Sequence, residues 1–265
     1  MTVRTALSQG AEILSKAGVD APRFTAELLL GHAMHCERVY FFAHPEQELR
    51  EVEWLHYGRY LHERSQGKPT QYITKRQEFY GRDFLVTPAV LIPRPETEVL
   101  VEAVKRLRPD ARRIVDVGTG SGAIAVSLGA AFACDISAAA LAIACRNGAT
   151  GLVQCDLLSA FADESFEVVA SNPPYIASTE VLQREVQNFE PHLALFGGED
   201  GLNVYRRLIP EAFRVLNPGG LLALELGFGQ SESVVQLASA FRKHELINDL
   251  AQIPRVLVCE KPFRS

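Results

Sequence analysis

The sequence lacks several features that mark large classes of protein. It has no basic excess of the kind that binds bare nucleic acid: 27 lysines and arginines face 32 aspartates and glutamates, and the formal net charge is −5. Its five cysteines form no Cys-X-X-Cys pair and are odd in number, which favours buried thiols in a reducing compartment. No apolar signal segment lies between Met1 and Gly18. We therefore expect a cytoplasmic protein that does not bind nucleic acid directly.

Long hydrophobic runs are also scarce, although hydrophobic residues make up 47% of the chain. The longest uncharged run, 117–134, contains four glycines that divide its apolar residues into short stretches. This pattern indicates a strand, a turn and a helix rather than a membrane-spanning helix. A metal site is equally unsupported, because His32, His35, Cys36 and His44 lack the ligand spacing of zinc sites. We expect neither membrane insertion nor a bound metal.

The first 68 residues show helical periodicity. Helices are predicted over 5–17, 24–36 and 51–66, the second of them with Asp20 as its cap and Pro22 in its first turn. Residues 1–68 are therefore expected to form a small helical bundle of the size of a recognition domain.

The pattern changes after residue 68. Tyr72–Thr74 and Phe84–Val86 flank a polar turn that contains Gly81, which predicts a β-hairpin within a linker of residues 69–93. From residue 94 to residue 265, short apolar runs alternate with helical stretches, which is typical of an α/β domain with a mostly parallel sheet. The predicted strands of this domain are 113–117, 131–134, 152–155, 168–171, 221–226, 246–250 and 255–259. Only a short connection joins the last two, so they are expected to be antiparallel.

A glycine-rich turn follows the first of these strands. Glycine lets the backbone turn sharply and lets a ligand approach the main chain, so such a turn is a candidate nucleotide site. The next strand ends at Asp135, where a carboxylate can accept hydrogen bonds from a ribose. These features fit a dinucleotide, S-adenosylmethionine, or a purely structural turn in which Asp135 caps a helix. The residues of the turn are Gly118, Thr119, Gly120, Ser121 and Gly122.

The fourth strand runs directly into Asn172, Pro173, Pro174 and Tyr175. Ligands of open α/β sheets bind at this end of the strands, and the two prolines fix the backbone there. The Asn172 side-chain oxygen and the Pro173 carbonyl can orient a planar NH₂ group, while Tyr175 offers a flat apolar wall. An amide nitrogen is a poor nucleophile, so catalysis at such a site would rest on positioning and electrostatics.

In combination, the Gly-Thr-Gly-Ser-Gly turn, the acid at Asp135 and Asn-Pro-Pro-Tyr resemble the class I amino-methyltransferases, whose fold is a Rossmann-like sheet. That resemblance leaves adenine-N6 and glutamine-N5 methylation open, because both substrates present a planar NH₂ group. Further segments are similar to the release-factor glutamine methyltransferases of the HemK type, and they extend over nearly the whole chain. They are 67–73, 79–84, 90–98, 189–191, 219–220 and 253–256.

The resemblance implies S-adenosylmethionine as the cofactor and the Gly-Gly-Gln loop of peptide chain release factors as the substrate. Asn172 would contact both. The other implied cofactor contacts are Gly118–Gly122 and Asp135, with Asp156 and Leu157 at the adenine. Asn172–Tyr175 would hold the glutamine, and Arg94 and Thr97 would line the same cleft.

Three alternatives remain at the level of the sequence. Sister enzymes that methylate a ribosomal-protein glutamine carry a Pro-Arg-Ser-Pro type of sequence where this chain has Pro-Arg-Pro-Glu-Thr-Glu, which disfavours that branch. The acidic charge opposes an adenine methyltransferase, and the intact Asn-Pro-Pro-Tyr opposes a non-catalytic binding module.

Two segments are shorter than the family pattern. Twelve residues separate Gly122 from Asp135, and eight separate Asn147 from Asp156. We therefore expect tight connections or shortened strands on the side where the adenine would bind.

Overall fold

The structure is a computed structural model that describes residues 1–263. The chain divides into two compact units. The helical unit comprises Met1–Arg76 and Gln183–Phe189, and the sheet unit comprises Gln77–Leu182 and the chain from Glu190 onward. The predicted boundaries after residues 68 and 93 stay a prediction.

The α-helices are α1 (Val3–Lys16), α2 (Pro22–Met34), α3 (Val39–Ala43), α4 (Glu51–Ser65), α5 (Thr70–Thr74), α6 (Glu98–Leu107), α7 (Ala123–Leu128), α8 (Ala138–Arg146), α9 (Arg184–Phe189), α10 (Asn203–Val215) and α11 (Ser231–Leu237). The strands are β1 (Arg76–Phe79), β2 (Arg82–Leu85), β3 (Ile114–Val117), β4 (Phe132–Asp135), β5 (Leu152–Gln154), β6 (Phe166–Ser171), β7 (Leu216–Glu225), β8 (Arg242–Asn248) and β9 (Pro254–Glu260). Short 3₁₀ turns cover Pro95–Thr97 and His192–Ala194.

The helical unit buries the apolar faces of α1, α2 and α4 against one another. Thr2 caps α1 by accepting a hydrogen bond from the Thr5 amide. The prediction that Asp20 caps α2 is wrong. Pro22 takes the first helical position, so the cap is Ala21 in a left-handed conformation, and Asp20 lies one residue too early.

The predicted hairpin exists, but one of its strands was misplaced. Tyr72–Thr74 lies in helix α5, and the strand that pairs with β2 is β1. Tyr72 and Ile73 are adjacent and both buried, which a helix packed in a bundle allows and a one-sided strand does not. The turn itself is at Tyr80 and Gly81, both with positive φ, as tight hairpins require.

The sheet unit contains a seven-stranded sheet in the order β5-β4-β3-β6-β7-β9-β8. Five strands are parallel, and β9 runs antiparallel to both β7 and β8. Alternate strand residues face two apolar layers, one built on α10 and α11 and the other on α6, α7 and α8. The predicted α/β fold, a mostly parallel sheet with an antiparallel final pair after a helical region, is confirmed.

The two segments that are shorter than the family pattern, Gly122–Asp135 and Asn147–Asp156, contain a short helix and a short strand. Helix α7 has six residues and stops at Gly129 in a left-handed conformation, and β5 has only three residues. The Asn147 side chain ties this region together: its amide donates to the carbonyls of Leu85 and Ser121 and accepts from the Leu85 amide. The expectation of shortened strands and tight connections on this side is therefore met.

Candidate active site

The carboxyl ends of four neighbouring parallel strands meet along one edge of the sheet. Because β4, β3 and β6 pair in register, the loops that follow them lie side by side, with the loop after β5 beyond. They border a cavity of about 250 Å³. Its lining includes Gly118, Gly120, Asp135, Ile136, Asp156, Leu157, Asn172 and Pro174, together with Val90, Leu91, Pro191, Phe196, Val204 and Arg207.

Only part of the glycine-rich turn faces this cavity. Gly120 has a φ of 54°, and nothing lies within 4 Å of where a Cβ would stand, so it leaves the main chain open to a ligand. Gly122 serves packing instead, because a Cβ there would lie 3.2 Å from Ala144 of α8. The Thr119 hydroxyl is also turned away from the cavity and donates to Asp116 Oδ2 at 2.6 Å.

Asp116 is a buried acidic residue beside the glycine-rich turn to which the sequence reasoning assigned no role. It is fully buried at the third position of β3, and burial raises the pKa of its carboxyl to about 7 against the hydrogen bonds from Thr119 and the Ala125 amide. The carboxyl therefore joins the turn to the start of α7. The sequence feature that could have drawn attention to Asp116 is an acidic residue within an otherwise apolar strand.

Asp135 lies at the cavity. Its two carboxylate oxygens accept hydrogen bonds from the amides of Gly120 and Ser137, both at 2.9 Å. Each oxygen keeps a further lone pair. The residue thus fixes the glycine-rich turn and retains the capacity to accept from another donor.

The loop after β5 brings Asp156 and Leu157 to the cavity, but Asp156 already has a partner. Its Oδ2 accepts from Arg207 of α10 at 2.5 Å, and the side chain is exposed. Leu157 adopts a positive φ of 50°, and its carbonyl accepts from the thiols of Cys134 and Cys155.

Asn172 and Thr97 come together although 75 positions separate them in sequence. The Asn172 Nδ2 group donates to Thr97 Oγ1 at 3.2 Å. No residue within 1–263 donates a hydrogen bond to Asn172 Oδ1. The side-chain oxygen of Asn172 is therefore the acceptor that remains for another molecule.

Tyr175 is held on two sides. Its hydroxyl donates to Glu225 Oε1 at 3.4 Å, and its carbonyl accepts from Gln230 Nε2 at 2.9 Å. A Cβ on Gly201 would lie 2.2 Å from the same carbonyl, so only glycine fits there. Sequence reasoning assigned no contact to Gln230, and it ranked a hydrogen bond of Glu225 in the cleft below an ordinary turn cap.

The Arg94 guanidinium is held in an ion pair within the protein. Its guanidinium lies 2.5 Å from Glu190 Oε1, and Glu190 Oε2 accepts from the Ile92 amide. Arg94, Thr97, Pro173 and Tyr175 lie outside the lining of the 250 Å³ cavity, whereas Asn172 and Pro174 belong to it.

Residues 1–263 contain no group of three or more histidine, cysteine, aspartate or glutamate side chains arranged to hold a metal ion. Over the same residues, every helix is too short or too polar to cross a membrane.

Comparison with known proteins identifies the family. Residues 5–74 match the model of the PrmC N-terminal domain, and residues 95–194 match that of the methyltransferase small domain. A release factor glutamine methyltransferase of Koribacter versatilis is 44% identical over 278 residues, which cover 99% of both chains. The chain belongs to the release factor glutamine methyltransferase family. The resemblance inferred from the motifs and the prediction of an enzyme are thereby confirmed.

Further matches agree with membership in the release factor glutamine methyltransferase family. The enzyme of that name from Moorella thermoacetica is 43% identical over 271 residues, or 95% of each chain. The crystal structure of a methyltransferase from Pyrococcus furiosus has a TM-score of 0.53 at 19% identity, covering 73% of this chain and 94% of that one. This last likeness concerns the fold alone.

Proposed function

We propose that the protein transfers a methyl group from S-adenosylmethionine to the side-chain amide nitrogen of the glutamine in the Gly-Gly-Gln motif of peptide chain release factors, in the cytoplasm. The observation that carries this proposal is the Asn172 side chain, whose NH₂ group is engaged by Thr97 and whose oxygen is left for a substrate. The names of the relatives, which cover nearly the full chain, support the choice of glutamine over adenine.

The cofactor fits the donor set at the cavity. Gly120 offers open main chain, Asp135 offers carboxylate lone pairs for ribose hydroxyls, and Leu157 offers an apolar wall. S-adenosylmethionine, when bound, supplies an electrophilic methyl group on a positively charged sulfur. We assign cofactor contacts to Gly118, Gly120, Asp135, Leu157 and Asn172. Asp156, which forms an ion pair with Arg207, would also contact the cofactor.

The chemistry of the substrate explains the remaining residues. The lone pair of an amide nitrogen is delocalised, so the nitrogen must be oriented before it can form a bond to the methyl carbon. Asn172 Oδ1 and the Pro173 carbonyl would accept from its two N–H groups, and the ring of Tyr175 would flank the amide plane. The N–C bond would form as the C–S electron pair passed to sulfur, and the nitrogen would then lose one proton to water. Positioning and electrostatics account for such a step without a strong base.

The helical unit is assigned to recognition. A glutamine and its immediate neighbours offer little surface, whereas specific protein interfaces bury on the order of 800 Å² on each partner. We propose that the helical unit docks on a second surface of the release factor, at a distance from its Gly-Gly-Gln loop.

A labelling experiment tests the proposed reaction. The protein is incubated with methyl-labelled S-adenosylmethionine and, separately, with a release factor, the same factor carrying alanine in place of the motif glutamine, a ribosomal protein, and DNA. Label is expected only on the first substrate, at the glutamine nitrogen. Label on the alanine-bearing factor would contradict the assignment of the residue, and label on DNA or the ribosomal protein would favour the other substrate classes.

Replacement of Asp135 by alanine is expected to weaken S-adenosylmethionine binding tenfold or more. Hydrogen bonds to a charged acceptor contribute about 1.5–3 kcal/mol each, and the variant also frees the amides of Gly120 and Ser137. Calorimetric titration measures the effect. Asp163→Ala, at an exposed aspartate outside the cavity, is the matched control and should bind as the wild type does. Unchanged affinity in Asp135→Ala would remove this residue from the cofactor site.

A further inference from the structure

Gln230 stands directly before α11, and its side chain links two loops at the carboxyl edge of the sheet. Its NH₂ group donates to the Tyr175 carbonyl, with Nε2 and the carbonyl oxygen 2.9 Å apart, and its Oε1 accepts from the Gly227 amide at 3.2 Å. Reversal of the side-chain amide would set oxygen against oxygen and N–H against N–H, so these two partners fix its orientation. Gln230 therefore joins the loop after β7 to the end of the Asn-Pro-Pro-Tyr turn (residues 172–175).

Two glycines leave the room that this contact needs. A Cβ on Gly201 would lie 2.6 Å from Gln230 Nε2, and a Cβ on Gly227 would lie 2.5 Å from Gln230 Oε1. The same Cβ on Gly227 would lie 2.9 Å from Cδ2 of the Tyr175 ring. All three separations are shorter than van der Waals contact. The Gln230 amide and Tyr175 thus occupy space that any larger residue at 201 or 227 would take.

The Asn-Pro-Pro-Tyr turn has few hydrogen bonds of its own. Pro173 and Pro174 have no N–H, so half of its four residues cannot donate. The first end of the turn follows directly from β6, which pairs with β3 and β7, and its last carbonyl is that of Tyr175, which accepts from Gln230. The hydrogen bond from the Tyr175 hydroxyl to Glu225 holds the far end of the ring and not the backbone. The sheet therefore anchors one end of the turn and Gln230 anchors the other.

We propose that Gln230 is a positioning residue that anchors the carboxyl end of the Asn-Pro-Pro-Tyr turn and thereby keeps the Pro173 carbonyl and the Tyr175 ring in place against the substrate amide. This inference rests on the proposed function of the site. Gln230 is outside the lining of the 250 Å³ cavity, and it acts through Tyr175. Its loss should leave cofactor binding intact and orient the substrate amide less well, so the effect should fall on kcat.

The first test removes both hydrogen bonds. Gln230→Ala should lower kcat on a short Gly-Gly-Gln peptide by about tenfold or more, because the Tyr175 carbonyl loses its donor. The calorimetric affinity for S-adenosylmethionine should stay near that of the wild type, since Gly120 and Asp135 are intact. Gln236→Ala, at an exposed glutamine of α11, is the matched control and should keep wild-type kcat. Wild-type kcat in Gln230→Ala, or a loss of cofactor affinity as large as the loss of kcat, would overturn the proposal.

The second test keeps the shape of the side chain and changes its proton. In Gln230→Glu at about pH 8.5, the carboxylate has no hydrogen for the Tyr175 carbonyl, and kcat should again fall by about tenfold or more. A protonated carboxyl donates its O–H to this carbonyl while its other oxygen accepts from the Gly227 amide, as the glutamine does. The half-buried position and the facing carbonyl favour the protonated form. The kcat of Gln230→Glu relative to the wild type should therefore recover as the pH is lowered to about 5.5.

The comparison with the wild type removes other ionisations from this pH profile. The titratable and charged groups around Tyr175 are its own hydroxyl, Glu225, Arg94 and Arg255, and burial raises the pKa of Glu225 to about 7. These groups are present in every variant, so their effects cancel in the ratio of the kcat values. The ratio for Gln230→Ala should stay constant with pH. A loss in Gln230→Glu that is the same at both ends of the pH range would overturn the proposal, because a merely structural defect would not respond to this proton.

A third measurement needs no substrate and separates this inference from the proposed function. The side-chain amide signals of Gln230 in nitrogen-15 spectra are assigned by their loss in Gln230→Glu. The hydrogen donated to the Tyr175 carbonyl should exchange with solvent more slowly than the amide hydrogens of the exposed Gln236. If the wild type methylates no glutamine-bearing substrate but this hydrogen is protected, the proposed function fails and the anchoring contact stands. If the enzyme is active and the hydrogen is not protected, the positioning role fails alone.

Discussion

Replacement of Asn172 by alanine is expected to lower methylation of a release factor by about a hundredfold or more, chiefly in kcat. Asn172 Oδ1 is an acceptor already oriented through Thr97, and removal of one such preorganised group costs about 2–4 kcal/mol in transition-state stabilisation. Single-turnover measurements with saturating cofactor isolate the chemical step. The effect should exceed that of any substitution confined to the cofactor side of the cavity.

Asn217→Ala provides the matched control for the loss of Asn172. Asn217 is near the start of β7, at the edge of the sheet opposite the cavity, because β7 runs parallel to β6. Its variant should keep wild-type turnover. Calorimetry on Asn172→Ala should find the cofactor still bound, since Gly120 and Asp135 are intact. Near-normal turnover of Asn172→Ala on a glutamine-bearing substrate would show that the assigned role is wrong.

The site could be anticipated from the sequence where its geometry follows from the sheet. Parallel strands carry their carboxyl ends to one edge, so motifs that end β3, β4 and β6 had to meet, and Gly120, Asp135 and Asn172 do border one cavity. The family resemblance implied that Arg94 and Thr97 line the same cleft as Asn172; Thr97 accepts a hydrogen bond from Asn172, although both Arg94 and Thr97 lie outside the lining of the cavity. The meeting of Gly120, Asp135 and Asn172 follows from the parallel topology that the alternation of strands and helices predicts, whereas the place of Thr97 was implied by the family resemblance alone.

Other features depend on partners that no local pattern reveals. Asp156 is a loop aspartate in sequence, and only the packing of α10 brings Arg207 to it from 51 positions away. Burial is equally hidden: Asp116 and Glu225 look like ordinary strand acids, yet both are completely enclosed and have raised pKa values. The prediction of a strand at Tyr72–Thr74 was wrong for a related reason. Three residues are too few to separate strand from helix periodicity when bundle packing decides.

Introduction of negative charge on the exposed apolar face of α3 is expected to impair recognition without impairing chemistry. Val39 and Phe42 are 77% and 75% exposed, and of the five residues of α3 only Phe41 is buried. Large apolar side chains left in water are candidates for an interface, and an aromatic anchor there commonly contributes about 2 kcal/mol or more. The variant Val39→Asp/Phe42→Asp should raise KM for intact release factor by about tenfold or more.

The substrate itself supplies the control for this variant. A short Gly-Gly-Gln peptide cannot reach a second surface, so kcat/KM for the peptide should be unchanged in Val39→Asp/Phe42→Asp, and thermal unfolding should match the wild type because both side chains are exposed. Leu250→Asp, at a fully exposed apolar residue of the sheet unit, tests whether any added charge has the same effect. An equal loss on peptide and intact factor would place the defect in the chemistry. Wild-type KM for the intact factor would mean that α3 takes no part in docking, and recognition would then have to be sought on another face of the helical unit.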